Sequence, residues 1–365
     1  MQIKIITCHD VYNHGASLQA YALQTYLLSM GHEVEIIDYK PDYLSGHYKL
    51  WSVANPIYEK PIIKQLYLLA KLPGRLLTLK RKRLFDKFTR DYLKLTNHRY
   101  HSLEELKLNP PQADVYIAGS DQIWNTMFQN GRDAAFYLDF APKDSIRVAY
   151  AASFAVPSID AEFIPFVKCM LDNIKAISLR ERISLPLLES LGRKDGIAVC
   201  DPVFLLEKKD WERLMHLKPH GRRYILVYDC EQSELLRDIA LKVSGQLKLP
   251  IYNVSASSCP YAKNDFWDSS PIDFIELVHN SDYVVTNSFH AVAFSFIFQR
   301  DFCVTRRSEH INERLTSILE DYSLMNRMVS SYSADIMNHI DYSKIDHRLK
   351  ESILESKEFL KESIG

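Results

Sequence analysis

The chain has 365 residues, 47% of them apolar, and a formal charge of -1, so it is long enough for two ordinary globular domains and carries no general nucleic-acid signature. Its cysteines, Cys8, Cys169, Cys200, Cys230, Cys259 and Cys303, are scattered without a C-x-x-C pair or metal-ligand spacing, and read as reduced core thiols of a cytosolic protein with no metal site. No run approaches transmembrane length, and the N-terminus enters a strand without a basic segment and apolar signal core, which argues against secretion; the near-zero charge favours a small-molecule or glycan partner.

Ile3-Lys4-Ile5-Ile6 and Val34-Glu35-Ile36-Ile37-Asp38 read as strands. Between them Leu18, Ala22, Leu23, Tyr26 and Leu27 recur at helical spacing and Gly31 ends the helix, giving a βαβ unit. The turn Asn13-His14-Gly15-Ala16-Ser17 falls where doubly wound proteins bind ligands, so its polar groups and helix-start N–H groups can meet an anion or a sugar hydroxyl. Asp38 lies at the distance of a ribose-binding acid. Only Gly15 is present where G-x-G-x-x-G needs three glycines, which argues against a dinucleotide.

Residues 40–100 break the alternation and read as a mostly helical insertion punctuated by Pro41, Pro56, Pro61 and Pro73. Within residues 60–85, Lys60, Lys64, Lys71, Arg75, Lys80, Arg81, Lys82 and Arg83 occur without an acid. They interleave with Leu66, Leu68, Leu69, Leu72, Leu76, Leu77 and Leu79, a composition fit for an anionic membrane surface or, more plainly, for a solvated helix pair covering the first domain.

Strands at 114–118, 147–151, 176–179 and 197–200, with a helical pattern at 183–192, complete one alternating α/β domain. Near Asp201-Pro202 the pattern restarts: strand 224–228, helix 232–245, strand 250–254, helix 271–279, strand 283–286, helix 290–298 and strand 302–305. Residues 343–365 read as a charged amphipathic helix. The expected architecture is two Rossmann-like domains, 1–200 with the basic insertion and 201–335, facing across a cleft, followed by a helical tail, 336–365.

Three segments at predicted strand ends carry chemistry. In Gly119-Ser120-Asp121-Gln122-Ile123-Trp124-Asn125, the polar residues Ser120, Asp121, Gln122 and Asn125 can bond hydroxyls, while Trp124 offers an apolar face to a pyranose; the plainer reading is a capped turn with Trp124 in the core. Arg180 in Ser178-Leu179-Arg180-Glu181-Arg182 can fork onto a carboxylate or phosphate, or else join a surface ion pair with Glu181 and Arg182. His290 in Asn287-Ser288-Phe289-His290 opens an apolar helix, where it suits general acid/base work or simple packing.

Read together, residues 13–23, 119–125, 150–154, 177–181, 200–203 and 282–290 resemble, in order, the polysaccharide pyruvyl transferase family. The resemblance implies a fold like the glycosyltransferase type B architecture and transfer of a pyruvyl group from phosphoenolpyruvate to a sugar as a cyclic ketal, with phosphate released. It implies that Arg180 binds the donor and His290 is the acid/base residue. Asp121, with Asn13 and Gln122, would orient the acceptor beside a wall that includes His14, Gly15, Ser17, Gln19, Ser120, Trp124 and Asn125. Asn287 and Ser288 would also bind the donor; family members often carry arginine where this chain has Ser288, so one of Lys263, Arg306, Arg307 or Arg314, among which sequence does not choose, would supply the second donor contact. Phosphoenolpyruvate is then a co-substrate and no cofactor or metal is needed. The acceptor would be a surface glycan or its lipid-linked precursor, met in the cytoplasm or at the inner face of the membrane. Two rivals share this scaffold: a glycosyltransferase using a nucleotide sugar, and a glycan-binding homologue without turnover.

Overall fold

The computed structural model describes residues 1–45, 61–308 and 312–365. Strand β1 (Gln2–Ile6) buries Ile3, Ile5 and Ile6 completely, the pattern of a central parallel strand covered on both faces. Helix α1 (His14–Ser29) is capped by Asn13, whose Oδ1 accepts from the Ala16 N–H at 3.2 Å, and it stops before Gly31, held at φ 86, where glycine meets no Cβ penalty. Strand β2 (Glu33–Tyr39) then returns parallel to β1 with Ile3 opposite Val34.

The insertion comprises α2 (Asp42–Ser45), the long α3 (Pro61–Tyr92) and, against expectation, an edge strand β3 (Leu95–Tyr100) paired with β2. Pro56 and Lys60 lie outside the described residues, as do the side chains of Lys64, Leu66, Leu68, Leu69, Pro73, Arg75 and Leu77. After α4 (Leu103–Leu108), strands β4 (Val115–Ala118) and β5 (Ile146–Ala152), helix α5 (Ile164–Leu171), β6 (Ala176–Leu179), α6 (Leu185–Ser190) and β7 (Ile197–Ala198) complete a parallel seven-stranded sheet ordered β3-β2-β1-β4-β5-β6-β7.

The second unit contains α7 (Lys208–Leu214), β8 (Ile225–Tyr228), α8 (Glu234–Leu247), β9 (Ile251–Asn253), β10 (Asn264–Asp265), α9 (Pro271–Asn280), β11 (Tyr283–Thr286), α10 (Phe289–Phe298), β12 (Asp301–Val304) and α11 (Glu313–Asp321). Its sheet runs β10-β9-β8-β11-β12, all parallel. Helix α9 starts on a capping box between Ser270 and Asp273, with Pro271 at its first position.

The two sheets share one apolar core. Tyr21 of α1 packs on Trp211 of α7, which packs edge-on against Phe294 of α10, with ring centroids 5.9 and 5.1 Å apart. The final helix, α12 (Ser343–Ile364), is no loose tail: it buries Leu360 and Ile364, and Ser356 Oγ accepts from the Cys200 N–H at 2.9 Å at the end of the first sheet. Part of the basic run serves the same union. Arg81 is buried and donates to the Trp267 and Tyr12 carbonyls, and Lys80 pairs with Asp268 at 2.7 Å. No helix among the described residues is long and apolar enough to cross a membrane.

Candidate active site at the interdomain cleft

In each sheet the strand order reverses once, between β1 and β4 in the first and between β8 and β11 in the second. Ligands of open α/β sheets bind at such reversals, beyond the carboxyl ends of the strands. Here the two reversals face each other across a cleft of about 350 Å³, lined from the first unit by Cys8, Val11, Asn13, Leu44, Asp121, Gln122, Phe128 and Asn130. The second unit contributes Cys230, Asn287, Ser288, Phe289, His290, Arg307, Arg314 and Leu315. The volume suits a small ligand. Strained backbone marks the first wall, with Tyr12 at φ 52 and Asp121 at φ 80, conformations that non-glycine residues adopt at a cost and that cluster at functional sites.

Behind the cleft lies a buried charge cluster. Arg180 Nη1 donates to Asp201 Oδ2 at 2.8 Å, and its guanidinium lies 3.6 Å from Glu181 Oε1 and 3.7 Å from Asp121 Oδ1. His290 Nε2 stands 3.5 Å from Asp201 Oδ2, and Arg314 Nη1 stands 3.8 Å from Asp121 Oδ1. Phe289 lies between the arginines, with their guanidinium carbons 4.9 Å (Arg180) and 5.8 Å (Arg314) from its centroid. Burial pushes the Asp201 carboxyl up, but His290 and Arg180 beside it hold it well below the usual carboxylate range. Glu181 goes the other way: burial raises it despite Arg180 and a hydrogen bond from Ser153. Burial, with Arg180 close by, lowers the Arg314 guanidinium to about 10, so it is charged at neutral pH but poorly neutralised. Its Nε is buried without a hydrogen-bond partner.

Several residues expected in the site stand elsewhere. Arg180 is a cleft support rather than a cleft wall, because its side chain is 1% exposed and surrounded by carboxylates. Arg182 turns away to Asp321. Trp124 is core: it is fully buried, stacks on Tyr137 at 5.4 Å, and donates from Nε1 to the Phe136 carbonyl, so no ring face meets a sugar. Asn125 is spent on its own turn, donating to Gln122 Oε1 and accepting from the Met127 N–H. Gln19 donates to Thr7 Oγ1, and Thr7 donates to the Ser120 carbonyl, a chain that bolts together the loops after β1 and β4 and leaves Gln19 and Ser120 buried. Ser17 is buried on α1.

His14 joins the two units: Nε2–H donates to the Ser269 carbonyl, Nδ1 accepts from the Tyr228 hydroxyl, and the ring stacks on Phe274. Burial and Arg81 lower its pKa well below that of an ordinary histidine. Gly15 faces His290 and not the cleft. Lys263 and Arg306 are exposed and outside the cleft wall, whereas Arg307 and Arg314 belong to it. Asn287 lines the cleft, but its amide donates to Asp229 and its oxygen accepts from the Cys230 N–H. The thiols are not all core, since Cys169 and Cys230 are exposed. Sequence patterning gave Asp201 and Glu181 no site role; the signals were their places one and two residues past predicted strand ends and inside the family-like segments 200–203 and 177–181.

A larger cavity of about 470 Å³ at the ends of β8 and β9 holds Asp229, Ser255 and Tyr261, but no histidine, and its Arg237 pairs with Asp238. Among the described residues no cluster of His, Cys, Asp or Glu is arranged to hold a metal.

Fold and cleft together define a two-domain α/β protein of the glycosyltransferase type B kind, with Rossmann-like halves. The family model for polysaccharide pyruvyl transferase matches residues 13–308, and the chain belongs to that family. Among solved structures, the fold is similar to a putative UDP-N-acetylglucosamine 2-epimerase from Listeria monocytogenes, at a TM-score of 0.51 and 10% identity over 96% of this chain and 89% of that one. Also similar are the UDP-GlcNAc 2-epimerase of Methanocaldococcus jannaschii (TM-score 0.49, 12% identity, 96% and 93% covered) and a Streptomyces sp. SF2575 glycosyltransferase (TM-score 0.39, 13% identity, 98% and 96% covered). No curated protein matches the sequence.

Proposed function

We propose that the protein moves the pyruvyl group of phosphoenolpyruvate onto two hydroxyls of a sugar as a cyclic ketal, releasing phosphate. The observation that carries this reading is Arg314: a buried, poorly neutralised guanidinium lining the same cleft as His290, in a chain of this family. An under-neutralised arginine gains from an anion, and phosphoenolpyruvate brings a carboxylate and a phosphate. Arg307 is the second cationic side chain of that wall.

Protonation of the donor's methylene carbon leaves its central carbon cationic, so one acceptor hydroxyl adds there. The second hydroxyl then displaces phosphate and closes the ketal. One hydroxyl proton replaces the proton given to the methyl group and the other leaves with phosphate. His290 carries these protons, Asp201 and Arg180 set its electrostatic surroundings, and Asp121, Asn13 and Gln122 orient the diol from the first domain.

Mass spectrometry of lipid-linked and free glycans incubated with protein and phosphoenolpyruvate tests the reading. A pyruvyl ketal adduct with matching phosphate release supports it, and stabilisation of the protein by nucleotide sugars but not by phosphoenolpyruvate overturns it.

A lipid-linked acceptor places the protein at the cytoplasmic face of the membrane. With Lys80 and Arg81 committed to the second domain, contact with an anionic bilayer would fall to exposed residues such as Lys71 and Arg83. The Lys71→Glu, Arg83→Glu double variant is expected to lose flotation with anionic vesicles while keeping its melting temperature; flotation equal to wild type removes membrane contact from the proposal.

A further inference from the structure

His290 is carried by α10 of the second domain, yet groups of the first sheet and its loops bound its ring. A Cβ on Gly15 would fall 1.9 Å from His290 Nδ1, 2.2 Å from Cγ and 2.5 Å from Cε1. At such separations the imidazole edge occupies the space of the missing side chain. The opposite edge, at Nε2, stands 3.5 Å from Asp201 Oδ2. The backbone conformation does not ask for glycine here. Residue 15 is the second residue of α1 and does not have positive φ, so by backbone preference alanine is the better choice.

We infer that Gly15 is a positioning residue: the slot it leaves open at the start of α1 receives the His290 imidazole when the domains are docked and fixes it against Asp201. The histidine of one domain is thereby oriented by a backbone position of the other. The kinetic half of this inference rests on the proposed function; the geometric half does not.

Thermal unfolding of the full-length wild type, Gly15→Ala, His290→Ala and the double variant tests the geometry without any assay of activity. Gly15→Ala is expected to lower Tm when His290 is present and to leave Tm unchanged or raise it in the His290→Ala background, where the helix keeps only the benefit of alanine. A Gly15→Ala protein that fails to fold, beside a double variant that folds, supports the slot equally. Equal losses in both backgrounds, failure to fold in both, or no loss in either overturns it.

In the ketal-forming assay, Gly15→Ala is expected to lower kcat on the order of 100-fold while KM for phosphoenolpyruvate stays within about twofold, with no further loss on top of His290→Ala. A raised KM with unchanged kcat overturns the positioning role. Absence of ketal formation in the wild type overturns the proposed function instead, and the Tm cycle still decides the slot.

Discussion

Asp201→Asn is expected to lower stability at pH 7 by about 3 kcal/mol and to remove most turnover, because it strips the counter-charge from the buried Arg180 and the carboxylate from beside His290 at once. Asp201 is 1% exposed. Its Oδ2 accepts from Arg180 at 2.8 Å and lies 3.5 Å from His290 Nε2, while Oδ1 accepts from the Val203 N–H at 3.0 Å. Asparagine preserves the shape and the bond to Val203 but faces the Arg180 guanidinium with a neutral amide. The folded carboxyl titrates below its unfolded value of about 3.9, so its contribution is complete above that pH and is lost as pH falls through the depressed value. The part of the deficit that comes from Arg180 is therefore flat from about pH 5 to 8 and shrinks in stronger acid. Urea denaturation across that range measures it; a variant within about 0.5 kcal/mol of wild type at pH 7 sinks the assignment.

Glu181 supplies the contrast. Its folded pKa is raised, chiefly by burial, so ionising it costs more in the folded chain than in the unfolded one, and stability falls as pH rises from about 4.3 through the folded value. Glu181→Gln is expected to remove that slope and to cost less than about 1 kcal/mol at pH 7, although the residue sits in the same cluster. Two neighbouring carboxylates thus respond oppositely to the same chemical change.

The strands of both sheets were legible because central parallel strands are apolar on both faces, as Ile3, Ile5 and Ile6 or Val284 and Val285 show. The edge strands β3 and β10 were not: the middle of β3 exposes Asn97, His98 and Arg99, and β10 is only the polar pair Asn264–Asp265, so neither leaves a hydrophobic signature. The loops that form the cleft could be found from strand ends, but not the direction of each side chain within them. In the Asp121 turn, backbone at φ 80 accompanies Asp121 and Gln122 in the cleft wall and Trp124 in the core, whereas spacing alone treats them alike. The charge cluster was hidden for another reason. Arg180, Asp201 and His290 meet through tertiary packing, so Asp201 entered the sequence reading only within the family-like segment 200–203 and at the domain boundary, with no role of its own.

His290→Ala and Arg314→Lys are expected to fail in different kinetic terms. Removing the proposed acid/base group is expected to lower kcat by about 100- to 10,000-fold and to leave donor binding largely in place. Lysine at 314 keeps a charge but loses the planar fork and its stacking against Phe289, raising KM for phosphoenolpyruvate by about 10- to 100-fold through one lost charge-assisted contact. Ser288 makes the assignment sharper. It stands at the N-cap position of α10 without a side-chain cap bond and lines the cleft, at the position where family members often carry arginine. If Arg314 has taken over that donor contact, Ser288→Arg in the Arg314→Lys background restores KM toward wild type and does nothing for His290→Ala. Steady-state kinetics on the four variants and the wild type decide this: an Arg314→Lys enzyme with unchanged KM, or a rescue of His290→Ala by the new arginine, removes Arg314 from the donor site.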